Sequence, residues 1–190
     1  MQRTWTDRRR KITFICIALS TFVLLLGLDQ FTKLLFKGMN ENNGWNKTPI
    51  IEGFFYLRYV KNPGAAWGLF ADKSWGQLFF KILTSVALVA FIVAYVFVCK
   101  KGYRVLNFAL VLIIAGTIGN FIDRLAYNYV VDFISLVFGD YNFPVFNLAD
   151  SYMTIGVIMA VVHFLFLDDN AIFKKKQKKE ENLDDNANNG

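Results

Sequence analysis

The chain has 190 residues, of which 55% are hydrophobic and 17% aromatic, with a net charge of +6 and a mean hydropathy of +0.35. That composition excludes an ordinary water-soluble domain, and the length suits one compact unit. The positive charge collects at a few places, so it reads as membrane topology and contact with anionic lipid rather than as a nucleic-acid surface.

A basic N-terminus, residues 1–11, contains Arg3, Arg8, Arg9, Arg10 and Lys11. Four uncharged apolar runs follow at Ile12–Leu28, Ile82–Cys99, Val105–Ile122 and Ser151–Leu167. Each is about the 17–25 residues that cross a bilayer core as a helix. The first continues into "GLDQFTK" without a small-x-small cleavage site, so it is expected to be retained as a helix. Lys100, Lys101 and Arg104 fill the second connection, and Lys174, Lys175, Lys176, Lys178 and Lys179 follow the fourth run. The positive-inside rule then puts both termini in the cytoplasm. Residues 12–167 read as one membrane domain, and 168–190 as a charged, disordered tail.

The two outer connections, about residues 29–77 and 123–150, hold the unusual chemistry. "FFYLRYVK" is β-prone and aromatic, and "KNPGAAWGLF" adds a turn. Trp67 and Trp75 suit a short interfacial helix on the outer face. Val130–Phe138, the turn "GDYN" and "FPVFNLAD" complete an expected antiparallel β-cradle over the outer helix ends.

Asp29, Asp123, Asp132 and Asp150 converge at that interface. Singly, Asp150 reads as an N-cap and Asp29 or Asp123 as a polar helix end. Together, beside Asn62, Asn120 and Asn147, they suit paired-carboxylate chemistry: one member ionised to deprotonate water, the other protonated to polarise a peptide carbonyl. Spacing leaves Asp123 and Asp132 as equal candidates to partner Asp150. Other chemistries fit less well. His163 is a lone histidine deep in the fourth run, so no metal site is expected. Cys16 and Cys99 lack paired spacing, and no Gly-rich phosphate loop or other cofactor motif is present. A Ser–Lys pair of Ser135 or Ser151 with Lys33 has no support in their placement.

"DQFTK", "KNPGAAWGLF", "GNFIDR", "VVDFI" and "FNLADS" occur in that order, and with them the chain resembles the lipoprotein signal peptidase (signal peptidase II) family between its two tails. The resemblance implies an aspartic endopeptidase of the bacterial plasma membrane. Its substrates would be diacylglyceryl-modified prolipoproteins cut just before the lipidated cysteine, and globomycin would inhibit it. It also selects Asp132 and Asp150 as the catalytic pair. The surroundings agree: Asp132 lies among Val130, Val131, Phe133 and Ile134, which favours a held proton, whereas Asp150 sits near a helix N-terminus that favours the base. Asp123, next to Arg124 and one turn from Asn120, suits a structural carboxylate.

Supporting roles are expected for the remaining motif residues. Asn62, Asn120 and Asn147 would satisfy an extended substrate backbone, and Gly64 would allow close approach or positive φ. Lys33 and Arg124 would hold lipid phosphate, pair with Asp29 and Asp123, or anchor at the interface. Trp67 stands where the family more often has phenylalanine. A proton-coupled transporter and a non-catalytic membrane adaptor are the alternative functions; the first would want its aspartates nearer the bilayer midplane.

Overall fold

The computed structural model describes residues 2–64, 75–101 and 103–167. Helix α1 spans Gln2–Asn43 and is followed by strands β1 (Lys47–Ile51) and β2 (Phe55–Asn62). Two further helices, α2 (Gly76–Lys101) and α3 (Arg104–Tyr127), lead to strands β3 (Val130–Phe138) and β4 (Tyr141–Asn142). Helix α4, Leu148–Val162, ends in one π-helical turn at His163–Leu167. Among the described residues, four helical stretches are long and apolar enough to cross a membrane, as the sequence predicts. The expected interfacial helix and Trp67 fall outside the described residues, as does the charged tail.

The helix of the first span runs on past Asp29. Helix α1 continues to Asn43, and 42 residues at about 1.5 Å each exceed the thickness of a bilayer core. No proline interrupts "LDQFTKLLFKGMNENN", and apolar residues recur at Leu34, Leu35 and Phe36. The helix stops only at Gly44, whose φ of 65° lies in the left-handed region that glycine occupies without strain. Asp29 and Lys33 therefore lie one turn apart on a helix face. Phe36 sits another turn along, stacked on Phe133 of β3 at 4.5 Å and on Trp45 at 5.4 Å.

The four strands form one antiparallel sheet in the order β1-β2-β3-β4. Val60 pairs with Asp132 and Asn62 with Val130, after a register shift between Leu57 and Val60. Phe146 returns to β3 through a bridge to Ile134, which brings the start of α4 beside Asp132. The expected β-cradle is present, and β1 is a strand the composition did not single out.

Helix α3 is the axis. It packs against α1, α2 and α4 and is the most buried of the four. Glycines allow the approach: a Cβ on Gly116 would lie 2.3 Å from the Ala149 carbonyl oxygen, and one on Gly156 would lie 2.7 Å from that of Ala109. Both distances are far inside van der Waals contact, so the α3–α4 crossing requires residues without side chains.

Candidate active site

The polar residues gather where the sheet meets the helix ends. Asp132 enters from β3, Asp150 from the first turn of α4, Asn120 and Asp123 from the last turns of α3, and Asp29 and Lys33 from α1. Asp150 is not the N-cap of α4. Asn147 holds that position: its Oδ1 accepts the Asp150 N–H at 3.0 Å, and Asp150 Oδ2 accepts the Asn147 N–H at 3.1 Å. This reciprocal capping box fixes the Asp150 carboxylate on the backbone before its own helix begins.

Asn147 also joins the two aspartates. Its Nδ2 donates to Asp132 Oδ1 at 2.7 Å while its Oδ1 faces Asp150. Asn62 Nδ2 donates to the other Asp132 oxygen at 2.9 Å, and Asn120 Nδ2 donates to Asp150 Oδ1 at 2.7 Å. The three asparagines are thus engaged by the carboxylates themselves, not left open for a substrate backbone. An amide is suited to this because it donates strongly without adding charge.

Asp132 is only 1% exposed. Burial first, and then the nearby Asp150 charge, push its carboxyl up to about 7 against the opposing effects of Asn62, Asn147 and Lys33. It can therefore hold a proton near neutral pH, which an ordinary surface aspartate cannot.

Of the expected alternatives for the two cations, pairing with Asp29 and Asp123 holds for Lys33 and not for Arg124. Lys33 lies 2.9 Å from Asp29 Oδ2 and 3.3 Å from Asp123 Oδ2, and it is 2% exposed. It is neither an interfacial anchor nor a phosphate holder, and it is also committed away from any pairing with serine. Arg124 does not pair with Asp123, because neighbouring residues on a helix project about 100° apart. Its guanidinium instead reaches the carbonyls of Asn120 and Gly64 at 3.4 and 3.5 Å and lies over the Phe80 ring. Gly64 is buried, with its N–H donating to Asn62 Oδ1 at 3.1 Å. Gln30 was not singled out in the sequence, yet its amide reaches Asp29, Asp123 and the Gly119 carbonyl. Only its place inside "DQFTK" pointed to it. His163 is a core residue packed against Tyr103, remote in sequence and role from this cluster.

A cleft of about 1090 Å³ opens onto the aspartates. Leu83 and Phe91 of α2 and Met153 of α4 give it apolar walls, and Asp132, Asp150 and Arg124 line it. It is wide enough for an extended peptide segment to lie beside the pair.

Two amide-held carboxylates on an apolar cleft, carried by membrane-length helices and a sheet, form an arrangement suited to paired-carboxylate hydrolysis in a membrane protein. Comparison with known proteins narrows this. The signal peptidase (SPase) II family, Peptidase_A8, matches over residues 21–166. The lipoprotein signal peptidase of Bacillus subtilis (strain 168) is 40% identical over 156 residues, covering 82% of this chain and 96% of the relative. That of Desulforapulum autotrophicum is 40% identical over 147 residues, covering 75% and 88%. A solved bacterial membrane enzyme, 33% identical, superposes with a TM-score of 0.68 over 82% of this chain and 96% of its own. A second such structure gives 0.67 at 34% identity, over 80% and 89%. The chain belongs to the signal peptidase II family. It is a membrane peptidase, and the transporter and adaptor readings are set aside.

Proposed function

We propose that Asp132 and Asp150 are the catalytic pair with which this peptidase removes signal peptides from diacylglyceryl-modified prolipoproteins, cutting just before the lipidated cysteine. The observation that carries this is one residue, Asn147, bound to both carboxylates that line the cleft: its side-chain Nδ2 donates to Asp132 and its backbone N–H to Asp150. Asp132, with its carboxyl pushed up to about 7, is the protonated member and Asp150 the base. In the first half of the reaction Asp150 takes a proton from water as the oxygen attacks the scissile carbon. Asp132 gives its proton to the carbonyl oxygen, forming a gem-diol. In the second half the C–N bond breaks, the amine leaves with the proton held by Asp150, and a diol proton returns to Asp132. The products are a free signal-peptide carboxylate and the amino group of the lipidated cysteine.

The basic clusters before the first apolar run, between the second and third and after the fourth support an orientation with both termini in the cytoplasm of a bacterium. The site then faces outward at the plasma membrane, within the single domain 12–167. Globomycin is the expected inhibitor on family grounds.

Lipid sets the cutting position in this reading. A peptide lying between helices can slide, whereas two acyl chains hold a residue at headgroup depth with about 0.8 kcal/mol for each buried methylene. The carboxylates are fixed at the depth of the helix ends, so the bond before the lipidated cysteine meets them. Matched precursors with and without the diacylglyceryl group, given to purified enzyme, test this. The unlipidated form is expected to be cut poorly even at high concentration, because positioning as well as binding is lost. Equal rates for the two would overturn the assignment of substrate class.

A further inference from the structure

Behind the aspartates lies a second charged group that the cleft does not reach. Asp29, Lys33 and Asp123 are all buried and none lines the cleft. The Lys33 ammonium has three donors and three acceptors around it: Asp29 Oδ2 at 2.9 Å, Asp123 Oδ2 at 3.3 Å and Asn120 Oδ1 at 2.9 Å. The two carboxylates then do the same thing at different places. Asp29 Oδ1 accepts the backbone N–H of Ala149 at 2.9 Å, and Asp123 Oδ2 accepts that of Val131 at 2.9 Å. Ala149 immediately precedes Asp150, and Val131 immediately precedes Asp132. Gln30 Nε2 spans the same two carboxylates, at 3.2 and 3.4 Å.

We propose that Lys33 is a positioning residue for both aspartates at once: it clamps Asp29 to Asp123, and each of these pins the main chain one residue before one member of the pair. The proposal rests on the catalytic reading of Asp132 and Asp150. Its physical content is a fixed separation. Asp132 stands on a strand and Asp150 on a helix; Asn147 and the Phe146–Ile134 bridge join them from one segment, and the Lys33 cluster adds a second tie that acts on the main chain before each. One buried cation shared by two carboxylates is such a tie, and the third donor reaches Asp150 again through Asn120, whose Nδ2 holds Asp150 Oδ1. Burying three charges gains little net stability relative to apolar packing, whereas charge-assisted bonds fix geometry closely. A lysine fits because its compact head meets three separate oxygens; the planar fork of arginine does not match that arrangement.

The test is kcat and KM on lipidated precursor, with thermal stability measured in the same detergent. Lys33→Met is expected to lower kcat by about 30- to 100-fold with KM within about threefold, since ground-state contacts in the cleft are untouched. Lys33→Arg should not restore the rate. Asp29→Asn and Asp123→Asn should each lower kcat by about tenfold, but by less than about twofold when Lys33 is already methionine, because all three act through one tie. A folded Lys33→Met enzyme with near-normal kcat, or losses that simply multiply, would overturn the proposal. Lys33→Met leaves two buried carboxylates without their cation, so the triple variant with Asp29→Asn and Asp123→Asn removes that penalty. If it recovers both stability and kcat, Lys33 is only structural; recovered stability with a slow kcat upholds the clamp. Should neither variant fold, Asp29→Asn and Asp123→Asn combined decide the matter: a loss smaller than the product upholds the clamp, and the full product overturns it. Asp132→Asn is measured alongside, and if it stays active the catalytic reading fails instead, whatever Lys33 does.

Discussion

Helices α2 and α3 are neighbours in the chain, 26 and 24 residues long, with mean hydropathies of 2.7 and 2.1 over their best windows. One is a wall and the other the axis: no residue in that window of α2 is buried, against 67% in α3. Hydropathy therefore finds both helices and cannot rank them, since lipid and protein interior are equally apolar. What separates them is size and polarity on a finer scale. Helix α3 carries Ala109, Ala115, Gly116 and Gly119, which let other helices close in, and then Asn107, Thr117, Asn120 and Asp123, all buried. Helix α2 buries only Gly76 and Phe80, near its sheet-side end. Side chains that need partners collect on the helix that has neighbours on several sides.

Substitutions can break or sharpen that contrast. The largest effect is expected at the pair that the α3 end supports. Asp132→Asn and Asp150→Asn should each lose about three or more powers of ten in cleavage while the protein still inserts and folds, because shape is kept and the titrating group is not. If Asp132→Asn turned over normally while Asp123→Asn did not, the pair would be Asp123 with Asp150.

Next comes the crossing itself. Gly116→Ala puts a methyl group against the Ala149 carbonyl, and backbone cannot rotate away as a side chain can, so about 3 kcal/mol or more of stability should be lost. Ala90→Leu on the exposed face of α2 adds more volume and should change stability by less than about 0.5 kcal/mol. Thermal unfolding of the two variants in one detergent checks the difference, and similar losses would mean that α2 is packed as α3 is.

The pH dependence follows from Asp132. Its folded carboxyl is at about 7, above the ordinary 3.8, so between those values the folded state binds more protons than the unfolded one. Stability must then fall as pH rises from about 4 to about 7 and level off above, the reverse of a salt-bridged aspartate. Wild type should show this slope in thermal unfolding, and Asp132→Asn should flatten it. Cleavage should likewise decline above about pH 7 as the protonated member is lost. A stability profile that rises over the same interval would rule out a proton held at Asp132.

The smallest effect belongs to the α2 wall. Leu83→Ala removes apolar surface from the cleft but no polar partner, so KM should rise about three- to tenfold with kcat unchanged. A comparable fall in kcat would show that α2 takes part in aligning the reacting bond.

Much of this molecule was legible in one dimension. Four apolar runs gave four spans, because crossing a bilayer requires a length of uncharged helix whatever surrounds it. Val130–Phe138 and "FFYLRYVK" became β3 and β2, and five short motifs in order carried the family. Asp132 was distinguishable from Asp123 by that resemblance and by its apolar flanks, not by spacing. The errors all concern which groups meet. The apolar run Ile12–Leu28 did not show that helix α1 continues through "DQFTK" to Asn43, with Asp29 and Lys33 buried on one of its faces. Asp123 was given to Arg124, its neighbour in sequence, when helix geometry turns it toward Lys33, ninety positions away by count. The asparagines were assigned to substrate and are bound to carboxylates, and Asn147 rather than Asp150 caps α4. Composition and spacing determine what a segment is, since propensity and transfer energy are local. Partners are decided by helix rotation, crossing and strand register, which exist only once the chain has folded.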